Sequence, residues 1–125
     1  MPKTEVVFFA EDDGSAPSLE WLDGLAEKVQ NKLIVRIERL AAMGHQLRRP
    51  EADYLRDRIY QLRVRHLRVN YRLLYFFHGR RAVLCHGLTK QKAVPERDID
   101  VASDRRRRFR RDPAAHTYAE EFDRA

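Results

Sequence analysis

The sequence predicts an α+β fold in which a twisted antiparallel sheet carries two N-terminal helices on one face and is followed by a C-terminal helix. Strand-like patterns occupy residues 3–10 and three runs between residues 60 and 88, whereas helical spacing occupies residues 17–43 and returns after Pro95. At 125 residues, the chain has the length of one ordinary domain. We expect that domain to span residues 1–112, with a tail at 113–125.

The N-terminal third predicts one strand and then helix. Residues 3–10 are rich in β-branched and aromatic side chains, and the turn-forming residues 11–14 end them. Apolar residues then recur at three- and four-residue steps, which predicts a helical hairpin or one broken helix. Pro17 suits its first turn, Gly24 marks the expected break, and Gly44 is the expected C-cap. The apolar positions are Leu19, Leu22, Leu25, Val29, Leu33, Ile37 and Leu40.

The remainder predicts a loop, a meander and a last helix. Residues 45–57 are polar without a sustained period, which indicates a connecting loop. Three alternating runs follow, and short turns at 66–68 and 78–80 make an antiparallel meander the simplest arrangement. A helical pattern begins at Pro95 and ends before Pro113, and we expect the tail to be loosely held.

The basic charge is concentrated in one segment. The net charge is +6, yet residues 1–31 carry an acidic excess, and residues 54–92 hold ten basic side chains with Asp57 as their one acidic residue. This asymmetry indicates an anionic partner, most often nucleic acid, with an acidic protein segment as the second candidate. A membrane surface is disfavoured because the basic segment has the pattern of strands and not of an amphipathic helix.

The single cysteine, Cys85, rules out an internal disulfide and a cysteine-rich zinc site, and it fits a reducing cytoplasm. Its apolar neighbours predict a buried small hydrophobic residue. The acidic residues 11–13 end the first apolar run too early for a signal peptide, and no stretch has the apolar length that a bilayer span requires.

Three segments of the chain carry motifs with a recognisable order and spacing. Residues 59–63 read Ile-Tyr-Gln-Leu-Arg, residues 71–75 read Tyr-Arg-Leu-Leu-Tyr, and residues 86–92 read His-Gly-Leu-Thr-Lys-Gln-Lys, followed by Pro95. They resemble the strand ending in Leu-Arg, the Tyr-Arg-hydrophobic-hydrophobic-Tyr strand and the Gly-Phe-x-Lys-Lys segment of the RelE/ParE toxin superfamily, in particular its phage-derived, HigB-like branch. The resemblance covers about residues 3–111. It implies a RelE-like fold and a cytoplasmic toxin of a type II toxin-antitoxin system, bound by its antitoxin, with a heterotetramer as one form of the complex.

The resemblance implies one leading function and two alternatives. Cleaving members act on messenger RNA in the ribosome by attack of a ribose 2′-hydroxyl on the neighbouring phosphate, which needs an acid, a base and cations but no metal or cofactor. The ParE branch inhibits DNA gyrase without cleavage, and a non-toxic phage-derived binding module is the third possibility. Cleaving members commonly carry lysines where Ile59 and Gln61 stand and a tyrosine where residues 96–98 stand. The absence of these residues here supports the ParE-like alternative.

Five residues are the candidates for the cleaving reaction. Arg72 and Arg63 occupy family-matched positions and would hold phosphate, although Arg72 could instead close the sheet by pairing with an acidic residue. Lys90 and Lys92 would supply positive charge, with solvated surface as the alternative. His86 would carry a proton or, within its apolar run, serve as a hydrogen-bonded structural residue.

A second set of residues is predicted to bind RNA phosphates, with a solvated face balanced by nearby aspartates as the alternative for residues 105–111. This set comprises Arg65, Arg68, Arg105, Arg107, Arg108 and Arg111. The apolar residues of the helical segment are expected to lie in the core or to face the antitoxin. Trp21 is the one for which contact with the antitoxin is the strongest alternative to the core.

Overall fold

The computed structural model describes residues 4–89 and 92–119. Within these ranges six strands form one sheet in the order β2-β3-β4-β5-β1-β6, accompanied by three α-helices, so the predicted α+β class is confirmed. The strands are β1 (Glu5–Phe9), β2 (Ala52–Arg56), β3 (Ile59–His66), β4 (Val69–His78), β5 (Arg81–Thr89) and β6 (Thr117–Tyr118), and the helices are α1 (Pro17–Asp23), α2 (Glu27–Met43) and α3 (Glu96–Arg111).

The sheet is mixed and not wholly antiparallel. Strands β3, β4 and β5 form the predicted meander, with turns at the predicted positions. Strand β1, however, pairs in parallel with β5, from Glu5 opposite Arg81 to Phe8 opposite Leu84. The continuous apolar run of β1 explains its place inside the sheet. A strand with apolar side chains on both faces can lie where helices cover both faces of the sheet, as in parallel sheets.

Helices α1 and α2 cover one face of the sheet, as predicted. Gly24 ends α1, where its N–H bonds to the carbonyl of Glu20 at 3.2 Å. Gly44 follows α2 with a φ of +56°, a left-handed conformation that glycine adopts without steric cost. The apolar stripe of α2 packs against one set of alternating sheet residues, which includes Phe8, Leu62, Leu73 and Leu84.

Helix α3 covers the opposite face. Its buried residues Ile99, Ala102 and Phe109 pack against the other alternating set of sheet residues, and the rings of Phe109 and Phe76 meet edge to face at 5.5 Å. Cys85 belongs to this layer and is fully buried, as predicted. Burial raises the pKa of its thiol to about 12, so the protonated, unreactive form prevails at neutral pH.

Two expectations about irregular segments were wrong. Residues 45–57 were predicted to be a loop, but they contain β2, which pairs with β3. The tail was expected to be loosely held, yet residues 114–118 form a short turn and β6 beside β1. Its anchor is His116, whose Nδ1 lies 2.8 Å from the carbonyl oxygen of Ala10 and whose ring stacks on Phe9. Over 4–89 and 92–119, no helix is long and apolar enough to cross a membrane.

Candidate functional site

Arg63 and Arg72 are directly opposite each other on the antiparallel strands β3 and β4. Their side chains lie on the α3 face, because Arg72 alternates in phase with Leu74 and Phe76, which pack in the α3 layer. Two like charges directly opposite each other on neighbouring strands repel, and this repulsion destabilises the sheet when no anion lies between them. A pocket of about 240 Å³ opens at this end of the two strands and is lined by both arginines, by Arg36 of α2 and by Val64 and Tyr71 of the α2-facing layer.

Arg72 is buried and held in a fixed orientation, with 7% of its surface exposed. Its Nη1 donates to the side-chain oxygen of Gln61 at 2.9 Å, and its Nη2 donates to the carbonyl oxygen of Lys92 at 2.7 Å. Burial, and then the charge of Arg63, lower the pKa of the guanidinium. It nevertheless stays protonated at neutral pH, since an arginine does not lose its proton in proteins.

Arg63 is fixed through its backbone. Its N–H bonds to the carbonyl of Glu51 at 3.0 Å, and its carbonyl accepts a hydrogen bond from Nε of Arg36 on α2, also at 3.0 Å. Lys32 reaches the carbonyl of Arg65 in the same way, so α2 covers the edge of β3 beyond the end of β2. Among the described residues, no side-chain hydrogen bond or ion pair engages the Arg63 guanidinium.

Of the two lysine candidates, Lys90 and Lys92, the structure describes only Lys92. Lys92 is exposed, and the structure joins it to Arg72 through its backbone carbonyl, while its role as a source of charge stays a prediction. Lys90 lies outside the described residues.

His86 lies two positions from Leu88, the residue opposite Arg72, and so projects to the same face. Its Nε2 is 2.6 Å from the carboxylate of Asp98, and its Nδ1 is 3.4 Å from Nη1 of Arg105. Because arginine only donates, Nδ1 must be the acceptor and Nε2 carries the hydrogen. Groups on α3 occupy both ring nitrogens, which favours the structural alternative over a proton carrier.

The predicted RNA-binding arginines divide into two groups. Arg105 donates to the carbonyl of Cys85 at 2.6 Å, and both Arg105 and Arg108 bond to Glu11 and lie over the ring of Phe9. These two arginines therefore attach α3 to the end of β1. The exposed group comprises Arg65, Arg68, Arg107 and Arg111.

A second basic cleft was not predicted. It encloses about 680 Å³ between the β2–β3 turn and α3. Its arginines include Arg58, Arg106 and Arg110, none of which was a candidate. Arg58 lies in a turn and Arg106 on a helix 48 residues later in the chain, so no periodic signal could join them.

Trp21 belongs to the core and not to an open surface. Its indole packs on Gly87 of β5 so closely that a Cβ at residue 87 would lie 2.1 Å from Cδ2 of the ring. Glycine is therefore required where α1 crosses the sheet.

The comparisons with known proteins identify a family. No curated protein shows significant similarity to the chain. The family model described as "Phage derived protein Gp49-like (DUF891)" matches residues 20–107, which run from α1 into α3 and include Arg63, Arg72 and His86. Since this match covers well over half of the sequence, the chain belongs to the phage-derived Gp49-like family.

Proposed function

We propose that this protein is the toxin of a type II toxin-antitoxin pair and a ribosome-dependent mRNA interferase with the RelE-like fold of the HigB-like branch. The observation that carries the proposal is the opposed pair of Arg63 and Arg72. Family membership and the three matching sequence segments support it.

The arginine pair fits the charge that develops when a phosphodiester is cleaved. A guanidinium can donate two parallel hydrogen bonds to phosphate oxygens. Arg72 is already oriented by Gln61 and Lys92, so little side-chain entropy is lost on binding. Arg63 contributes a second charge, and a bound phosphate would offset the repulsion between the two.

Electrostatic stabilisation and positioning then account for most of the rate enhancement. Donors already aimed at a developing oxyanion contribute without reorganisation during the reaction. His86 is engaged by Asp98 and Arg105, so we assign it no proton transfer; water or groups of the ribosome would accept the proton of the attacking 2′-hydroxyl and supply one to the leaving 5′-oxygen. Gln61 stands where cleaving relatives carry a lysine, and here its neutral amide orients Arg72 without adding a third positive charge.

The proposed partners are the ribosome with its mRNA and a cognate antitoxin. An acidic antitoxin segment would neutralise the toxin by covering the basic end of β3 and β4, since buried charges require partners. Co-expression with the product of the adjacent reading frame tests this part. Co-purification in a defined ratio, such as a heterotetramer, is expected, and two proteins that elute separately would contradict it.

The function is tested by inducing the protein in cells and measuring translation, mRNA 5′ ends and DNA supercoiling separately. We expect codon-periodic mRNA cuts with the wild type and with Arg80→Gln, a control at an exposed turn residue, and loss of the cuts with Arg63→Gln. Intact mRNA with altered supercoiling would identify a gyrase inhibitor instead. Normal growth with soluble, folded protein would identify a non-toxic binding module.

A further inference from the structure

We propose that the cleft between the β2–β3 turn and α3 binds the phosphodiester backbone of RNA, as a site separate from the Arg63–Arg72 pair. Arg106 and Arg110 are one helical turn apart on α3, which makes them neighbours on one face. Arg58 joins them from the turn. The lining of the cleft consists of Asp57, Arg58, Ser103, Arg106, Arg107 and Arg110.

Three positive charges converge here. Within residues 4–89 and 92–119, the side chains of Arg58, Arg106 and Arg110 form no hydrogen bond or ion pair. The acidic residue of the cleft, Asp57, is already ion-paired with Arg56. Burial, and then the charges of Arg110 and Arg58, lower the pKa of Arg106, so both neighbours repel this guanidinium, and Asp57 and Tyr54 offset only part of the effect. A bound anion would relieve this repulsion.

The chemistry of the lining favours nucleic acid over protein. A protein interface is built around an apolar core, and none of the residues that line this cleft is apolar. Protein–nucleic acid interfaces are instead polar, strongly positive and wet. Arginine also matches phosphate geometry in two-point contacts, which a lysine cluster would not.

The position of the cleft allows one RNA strand to reach both sites. The cleft and the Arg63–Arg72 pair both lie on the side of the sheet that carries α3. Arg58 precedes Arg63 by five residues, which corresponds to about 17 Å in an extended strand. The choice of RNA as ligand rests on the proposed function, but binding at the cleft can be measured without cleavage.

The test is a titration of an unstructured 20-nucleotide RNA with the purified full chain, followed by fluorescence anisotropy at several salt concentrations. One variant combines Arg58→Gln, Arg106→Gln and Arg110→Gln. Its control combines Arg48→Gln, Arg80→Gln and Arg97→Gln, which removes the same charge from exposed positions elsewhere. Thermal melts monitored by circular dichroism establish that both variants are folded.

We expect the cleft variant to bind RNA at least about tenfold more weakly than the wild type at 0.1 M salt, and the control less than about threefold more weakly. The slope of log K against log salt should become shallower by about 2 in the cleft variant, since each phosphate contact on a single strand contributes about 0.7.

Several results would overturn the assignment. They are failure of the wild type to bind RNA, unchanged binding by the cleft variant, equal losses in both variants, or equally tight binding of polyglutamate. Competition by millimolar inorganic phosphate that abolishes RNA binding would likewise indicate a small-anion site. A wild type that binds RNA through the cleft but leaves cellular mRNA intact would contradict the interferase proposal and still support the cleft.

Discussion

The imidazole of His86 on β5 and the carboxylate of Asp98 on α3 lie 2.6 Å apart and join the end of the sheet to the first turns of the last helix. Arg105, two helical turns further along α3, approaches the other ring nitrogen. A structural role and a catalytic role for His86 predict different effects when His86 or Asp98 is substituted. Variants of these two residues therefore distinguish the two roles.

Asp98→Ala should lower the free energy of unfolding by about 1–3 kcal/mol, because it leaves the partly buried Nε2–H of His86 without its acceptor. Urea denaturation measures this loss. In the folded protein, His86→Gln should retain RNA cleavage within about threefold, whereas loss of a proton carrier would reduce the rate by about 10²–10⁴. Asp104→Ala is the control, since Asp104 makes one exposed pair with Arg107.

Gly87→Ala should destabilise the protein by about 1–3 kcal/mol, because the new methyl group would overlap the indole of Trp21. The sole tryptophan reports the displacement of α1 through its fluorescence. Gly24→Ala is the matched control, since its Cβ would meet its nearest atoms at 3.6 Å, an ordinary contact. Combining Gly87→Ala with Trp21→Leu should recover part of the loss, and strictly additive effects would contradict the contact.

Stability should depend on pH through Glu51. Hydrogen bonding to Arg39 lowers the pKa of this carboxyl below its ordinary 4.5, so its contribution is present above that pH and is lost as the pH falls through the lower folded value. The wild type should therefore exceed Glu51→Gln in stability at pH 7, and the difference should shrink progressively as the pH falls below 4.5. Glu27→Gln, with no described ion pair, should show no such trend; an equal trend would refute the assignment.

The arginine cluster of the cleft should cost stability when no anion is bound. Arg110→Gln removes one of the charges that repel Arg106 and should raise the melting temperature at low salt. Salt screens such interactions, so the gain should disappear near 1 M sodium chloride. Arg111→Gln provides the control in the same last turn of α3, outside the lining of the cleft, and a gain of the same size there would mean that the cluster is not the cause.

Elements with strong periodicity were predictable from the sequence. The Gly24 break, the Gly44 cap, the meander and α3 all follow from apolar spacing and from glycine or proline at the ends. Strand β2 was missed because Asp53 and Arg56 give it the charged character of an edge strand. The two-residue β6 was missed because its anchor, His116, binds a backbone carbonyl 106 residues away.

The site was predictable only in part. Alternation and the family resemblance identified Arg63 and Arg72, and the structure brings them together. The tie between His86 and Asp98 and the convergence of Arg58 with Arg106 depend on how α3 crosses the sheet. Such contacts join segments distant in sequence, so local pattern does not encode them.

The most direct test of the central claim is cleavage of a defined mRNA by the purified protein in a reconstituted translation reaction. We predict cuts that require ribosomes and leave 2′,3′-cyclic phosphate and 5′-hydroxyl ends, with Arg63→Gln slower by about 10²-fold or more and Arg80→Gln unchanged. Intact mRNA in the presence of folded wild-type protein, or equal cleavage by Arg63→Gln, would contradict the assignment of the Arg63–Arg72 pair.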